Sequence, residues 1–482
     1  MLKPMMLRNL TLTLLAASAL TACTMAPKYE RPALPVATTW PTASANGQTA
    51  SAGDLAWKQV FEDPRLAGTI DLALANNRDL RVAVLNIEQA RATYRIQRAA
   101  LLPTVNGTLS GTKSETPTAA SGFGSAIGGS GSLEIENYSA TVGVTSYELD
   151  IFGRVRSLKD QALQSYLSTE QTARATQISL IAETANAWLT LAADQDLLAL
   201  AKDTLKSRED SLALAQRQFD VGAASQLDLR TSQTLAETAR SDVATYSAQV
   251  ERDKNALRLL VGTEVSADLL PAGGLITAQI LPDLPAGVAS DVLTRRPDVL
   301  AAEHTLMGAN ANIGAARAAF FPRISLTGSY GSASADLDGL FKGGTKSWSF
   351  APSISLPIFA GGANKAGLDS AKAGQKIAVA NYEKAVQTAF REVADALATQ
   401  ATIGDRLAAQ ERLAAAAADT TRLTKLRYDR GVDSSLVLLD AQRTQYSAQQ
   451  GLINARLARA SNLVTLYKVL GGGAPQAAGK GA

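Results

Sequence analysis

The chain has 482 residues, 46% of them hydrophobic and 19% charged, the balance of a polypeptide that buries a core. Lys and Arg number 47 against 44 Asp and Glu, and a net charge of +3 excludes an electrostatic commitment to nucleic acid. One His and one Cys leave too little material for a His/Cys metal centre, a His-based catalytic dyad or a disulfide framework.

Residues 1–22 read as a signal peptide. Lys3 and Arg8 make a basic start, and an apolar stretch follows over 10–20, broken only by Thr and Ser. It falls short of the roughly 20 apolar residues that span a bilayer and suits a cleaved segment. Leu20-Thr21-Ala22-Cys23 is similar to the bacterial lipobox, in which the Cys becomes the lipid-modified N-terminus. The alternative is an ordinary cleavage site beside a chance Cys; that Cys23 is the only cysteine favours lipidation. Thr24 in place of Asp permits, by resemblance to sorted lipoproteins, delivery to the outer membrane. One acyl chain binds a membrane only marginally, so a second attachment is expected. Pro27, Pro32, Pro35 and Pro41, then a Ser/Ala/Gly-rich stretch over 42–53, make residues 23–62 a lipid-anchored tether.

The remainder reads as a twofold internal repeat, over 63–271 and 272–470, with a flexible tail at 471–482. Arg98-Ala-Ala-Leu-Leu-Pro103 returns as Arg317-Ala-Ala-Phe-Phe-Pro322, and the same offset pairs Asp79-Leu80 with Asp298-Val299. Arg217-Gln-Phe219-Asp-Val-Gly222 returns as Arg427-Tyr428-Asp-Arg-Gly431. Each unit reads as helix, two strands, long helix, turn, helix. The helical stretches are rich in Ala, Leu, Gln, Arg and Glu, all good helix formers. Tyr382, Val386, Phe390, Val393 and Leu397 recur at three- and four-residue spacing and predict one apolar face. Long helices over 155–220 and 363–429 would each reach roughly 100 Å. Partner helices near 66–101, 228–262, 286–321 and 434–470 have about half that length, so two laid end to end match one long helix. This predicts a helical cylinder.

Strands are expected near 104–112, 137–149, 323–332 and 347–358, the first of each pair beginning after Pro103 and Pro322. Ile324, Leu326, Gly328 and Tyr330 alternate with Ser325, Thr327 and Ser329, and Trp348, Phe350, Ile354 and Leu356 alternate with small residues. Tyr138, Ala140, Val142 and Val144 repeat the pattern, Val105 and Leu109 more weakly. An apolar face backed by a Ser/Thr face fits a transmembrane barrel strand, and it equally fits a half-buried soluble sheet. Four strands cannot close a barrel, whose smallest common size is about eight. A barrel shared between chains hides every edge, and three chains supply twelve strands.

These segments resemble the TolC-like outer-membrane factor family, most closely its OprM-type lipoprotein channels of tripartite (RND) multidrug efflux systems. The resemblance runs through Trp57-Lys-Gln-Val-Phe61-Glu-Asp-Pro64, Asn77-Arg-Asp-Leu80, Tyr94-Arg-Ile-Gln-Arg98 and Tyr147-Glu-Leu-Asp-Ile-Phe152-Gly-Arg154. It continues through Arg295-Arg-Pro-Asp298, Leu438-Leu-Asp440-Ala-Gln-Arg443 and Leu466-Tyr467-Lys-Val-Leu470-Gly-Gly. It implies a mixed α+β membrane protein: a homotrimer with a twelve-stranded outer-membrane β-barrel, four strands per chain, continued by a long α-helical barrel in the periplasm. It implies docking to a periplasmic membrane-fusion adaptor and an inner-membrane RND-type transporter, contact with outer-membrane lipid, and no cofactor beyond the lipid on Cys23. Loops over 113–137 and 332–346 would face the exterior.

On that resemblance the work is gated conduction, with no catalytic residue. The turns at Gly222 and Gly431 are helix caps first, since glycine past a helix end is the common C-cap. Asp440 matches the aspartate whose ring narrows the channel tip in relatives; three carboxylates near an axis make a charged constriction. Leu436 matches the apolar constriction and Arg443 the pairing arginine, although Asp440 and Arg443 at i,i+3 also fit an ordinary surface pair. Ser225 and Asp228 fit a capping box, while the resemblance makes Asp228 the partner of Tyr428; the two roles are compatible. Where the family pattern has a latch arginine two residues after the turn glycine, this chain has Asp433. That removes a cation, adds an anion near Asp440, and shifts the expected resting gate toward the Leu436 and Asp440 rings.

Protein export by a type I system and metal-ion efflux are the alternatives within the family. Soft-metal handling is disfavoured, since the mature chain keeps only Met25, Met307 and His304 as such ligands, and His304 fits a packed helix face. From another class, a periplasmic coiled-coil scaffold lipoprotein would explain helices and lipid but leave the strands unexplained.

Overall fold

A computed structural model describes residues 24–37, 40, 56–117, 132–272, 274–275 and 290–472. The signal peptide, Cys23, the 42–53 stretch and the end of the tail lie outside the described residues. The helices are α1 (Trp57–Val60), α2 (Pro64–Asn76), α3 (Arg78–Ala99), α4 (Arg154–Asp220), α5 (Gln226–Val261), α6 (Pro297–Ala318), α7 (Ala363–Asp429) and α8 (Ser435–Val469). The strands are β1 (Val105–Pro117), β2 (Ser132–Leu149), β3 (Arg323–Ser334) and β4 (Lys346–Ser355). Helices α4 and α7 have 67 residues each.

The chain divides into two compact units. Of the described residues, one holds those within 24–32, 88–168 and 303–381, the other those within 33–87, 169–302 and 382–472. The first contains the sheet, an antiparallel ladder in the order β1-β2-β3-β4. Its register puts Ile324 opposite Ile354, Gly328 opposite Phe350 and Tyr330 opposite Trp348. Between these, Ser325 faces Ser353 and Ser329 faces Ser349, with hydroxyls 2.7 and 2.8 Å apart. The alternation thus separates an apolar face from a hydroxyl face. The apolar face is bare: Leu109, Val142, Tyr330, Trp348, Phe350 and Ile354 are all more than half exposed. At Gly143 and Gly331 a β-carbon would strike the backbone of β3 and β2 respectively, so both strands need glycine for close approach.

The hairpin of β1 and β2 extends further than the sequence indicated. Residues 113–117 and 132–137, expected in a loop, are paired, with Lys113 opposite Glu136 and its Nζ 2.8 Å from that carboxylate. Cross-strand opposite charges offset the weak strand preference of this Ser/Thr/Lys/Glu stretch. In the same unit residues 24–31 lie along α6. Arg317 donates to the Met25 carbonyl at 3.0 Å and Asn310 to the Pro27 carbonyl at 2.7 Å. Arg31 forms a fork with Glu303 at 2.7 and 2.8 Å, and Tyr29 donates to the same carboxylate. His304 pairs with Gln164 at 2.8 Å.

The second unit is helical and holds most of the large buried side chains. Tyr382, Val386, Val393 and Leu397 of α7 are buried, and Phe390 stacks on Trp40 at 4.5 Å. Phe61 meets Tyr467 edge-on at 5.5 Å, and the buried Trp188 donates its indole N–H to the Leu269 carbonyl at 2.9 Å. The helix expected over 66–101 is two helices. Asn77 is extended, and its Oδ1 caps α3 at Leu80 N while its Nδ2 reaches the Leu260 carbonyl at the end of α5. Gly262 (φ +78°) sits close enough to the Asn76 carbonyl that a β-carbon would clash. The helix expected over 286–321 starts later, at Pro297, after a 3-10 turn over Ser290–Arg295; proline at the first helical position fits that start. Arg296, 7% exposed, binds Asp298, Glu392 and the Val469 carbonyl within 3.0 Å. That contact gives the Arg295-Arg-Pro-Asp298 motif a structural role.

Candidate functional site

The candidate site is the pair of turns joining α4 to α5 and α7 to α8, all within the helical unit. Both turns close alike. Gly222 and Gly431 have φ near +75°, the left-handed conformation that favours glycine. Ala223 N donates to the Gln218 carbonyl at 2.7 Å and Val432 N to the Arg427 carbonyl at 2.9 Å, each spanning the helix end in a Schellman pattern. No atom lies within 4 Å of a β-carbon built at either glycine, so backbone conformation alone demands them.

The two helix starts differ. Ser225 caps α5 through the Asp228 N–H at 3.2 Å, and the Asp228 carboxylate accepts from Ser225 N at 3.2 Å and Ser225 Oγ at 2.6 Å. At the start of α8, Ser434 makes no side-chain cap bond, and Val437 stands where α5 has Asp228. The other oxygen of Asp228 accepts from Ser435 Oγ at 2.8 Å, tying the first turn of α8 to that of α5. The hydroxyls of Ser225 and then Ser435 hold the Asp228 carboxyl below its ordinary range. The Tyr428–Asp228 bond implied by resemblance is therefore not formed within the chain. Tyr428 points its hydroxyl at Gln218 Oε1, 3.5 Å away, while Asp228 takes its bonds from Ser225 and Ser435.

Leu436, Asp440 and Arg443 fall on one exposed stripe of α8, while Leu438 and Leu439 turn inward. Arg443 bonds Asp440 at 2.5 Å with both side chains more than half exposed, the geometry of a surface i,i+3 pair. Asp433 is not a free anion near Asp440. Arg427 grips it at 2.7 and 2.9 Å, and that guanidinium holds the Asp433 carboxyl below its usual range.

Between the two hairpins lies a cavity of about 550 Å³ whose walls include Leu214, Gln218, Asp228, Tyr428, Leu438 and Gln442. Behind Gln442 stands Arg208, a residue the sequence did not single out. It is 5% exposed, bonds the Gln442 amide oxygen, and has no carboxylate within ion-pair distance among the described residues. Its charge is disfavoured by burial, which pushes the guanidinium pKa down. Its signal in the sequence is nil, since an Arg in a polar helix stretch ordinarily faces water. Among the described residues there is no cluster of three or more potential metal ligands, and no helix is long and apolar enough to cross a membrane.

The sequence model of the outer membrane efflux protein family matches this chain twice, over residues 69–263 and 288–472. The chain is 48% identical to the probable efflux pump outer membrane protein TtgC of Pseudomonas putida, covering 97% of this chain and 96% of that protein. It is 46% identical to the outer membrane protein OprJ of Pseudomonas aeruginosa, covering 95% of each. Its fold superposes on the open state of the Neisseria gonorrhoeae MtrE outer membrane channel with a TM-score of 0.85 at 42% identity, covering 94% of this chain and 98% of that one. With matching turns, an open sheet and full-length similarity, the chain belongs to the outer membrane efflux protein family.

Proposed function

We propose that three copies of this chain form an outer-membrane channel that carries drugs, solvents and other small toxic molecules out of the cell. It would receive them from an inner-membrane transporter through a periplasmic adaptor. The relatives named for antibiotic, toluene and solvent efflux support the substrate class. The observation that carries the trimer is the four-stranded sheet. The outer edges of β1 and β4 are unpaired among the described residues, and the apolar face of the sheet is bare. Twelve strands from three chains pair both edges and give that face to lipid. The family is one of conduits, so no reaction is assigned.

Leu436, Asp440 and Arg443 form the gate of this reading, as rings contributed by three α8 helices, with Asp228 and Tyr428 steadying the neighbouring turns. Lipid on Cys23 supplies a second hold on the outer membrane. The test is accumulation of a fluorescent drug-like dye in cells lacking the gene. Accumulation should rise, and the intact gene should restore it. A gene lacking the signal and Cys23 should not. Unchanged accumulation, with the protein present in the outer membrane, would refute drug efflux and favour protein or metal export.

A further inference from the structure

On the first helical hairpin, at the last third of α5, two acids face each other. Asp194 is on α4 and Asp253 on α5. Asp253 is 9% exposed; its Oδ1 accepts from Gln249 Nε2 at 2.8 Å, and its buried Oδ2 has no donor among the described residues. The Asp194 carboxyl lies within hydrogen-bonding reach of Asp253. Among the described residues neither carboxyl forms an ion pair: Arg252, whose charge acts on Asp194, directs its bonds to the Gln249 amide oxygen. The other groups are committed as well. Tyr246 accepts from Gln450 of α8, Asp242 accepts from Tyr446 of α8, and Asp196 accepts from Leu275 N and faces Arg456 of α8. An orphaned buried carboxylate oxygen beside a second carboxyl is the geometry in which a single proton is shared, because two like charges at that range do not both persist.

We propose that Asp194 and Asp253 are a proton-binding site that clamps α4 to α5, tight with one proton bridging the carboxyls and loosened when it leaves. Burial, then the neighbouring Asp253, raise the Asp194 pKa to about 7, while Gln249 and Arg252 oppose the rise. A raised folded pKa means that the folded chain holds a proton which the unfolded chain releases near pH ~3.9. The clamp's contribution is therefore complete at low pH and is lost as pH rises through neutrality. This site is independent of the gate and of the identity of the exported molecule.

The test uses the full-length protein in detergent, with Asp194→Asn and Asp253→Asn, each of which replaces the shared proton by an amide N–H. Infrared difference spectra between about pH 5.5 and 8.5 should show a protonated carboxyl in the wild type that titrates near neutrality and is absent from both variants. Amide exchange over 190–198 and 249–257, corrected for its intrinsic pH dependence, should slow several-fold toward low pH in the wild type. In the variants it should be flat and slow. A spectrum without that carboxyl, or a pH dependence that survives in both variants, overturns the proposal. If one variant does not assemble, the other decides by the same two readouts.

Discussion

Replacing Asp228 by Ala removes two ties at once. The cap of α5 loses its reciprocal half, worth about 1 kcal/mol in comparable helices. The first turn of α8 loses its Ser435 bond to a charged acceptor, worth about 1.5–3 kcal/mol when buried. Asp228 is only partly buried, so the lower end applies and the sum is about 2.5 kcal/mol per chain, a factor of about 70 in local opening. Since α8 has no cap bond of its own at Ser434, the loss falls on the turn that carries Leu436. Purified channel in planar bilayers should open more often or more widely in the variant, and amide exchange over 226–229 and 435–439 should accelerate. Ser435→Ala should reproduce the α8 part and leave α5 protected. The pH dependence has a definite sign. With its folded pKa depressed, Asp228 contributes fully above the unfolded value of about 3.9, and the tie is lost as pH falls through the folded pKa. Neutral and mildly acidic channels should behave alike, with release only in strong acid. Unchanged conductance together with exchange within a factor of about two of wild type at both turns would refute this account.

Asp433→Ala frees Arg427 but leaves the α8 stripe intact, so it should alter conductance less than Leu436→Ala combined with Asp440→Ala; the reverse order in bilayers would rule out the ring-based gate. Arg296→Met strands Asp298, Glu392 and the Val469 carbonyl. Half-exposed acids rehydrate, so the loss should be about 3 kcal/mol, read as a lower urea midpoint; a shift below about 1 kcal/mol would contradict the role given to this motif. Gln442→Glu offers the buried Arg208 an anion in place of an amide and should stabilise by about 1 kcal/mol, seen as a higher Tm. A lower Tm would show that Arg208 finds its counter-charge elsewhere.

Where information is local, the chain could be read directly. The equal lengths of α4 and α7 follow from uninterrupted helix-forming stretches ended by Gly222 and Gly431, each the one residue type that takes a positive φ without strain. Strands β3 and β4 follow from a period of two, and the capping box at Ser225 from residues three apart. The buried face of α7 follows from a period near 3.6. The candidate gate stripe was legible as a stripe, because Leu436, Asp440 and Arg443 share one helix.

Tertiary structure decided whatever depends on partners far along the chain. Asn77 breaks a helix that its neighbours would continue, because its amide finds the Leu260 carbonyl across 183 residues. Asp228 binds Ser435 across 207 residues, a bond that no local pattern in the sequence marks. Arg208 is buried against Gln442, and Asp194 meets Asp253, on helices whose periodicities carry no mark of either meeting. Periodicity tells which face of a helix turns inward. Only packing sets the axial register between helices, and register determines which polar groups meet, which stay unpaired and which share a proton.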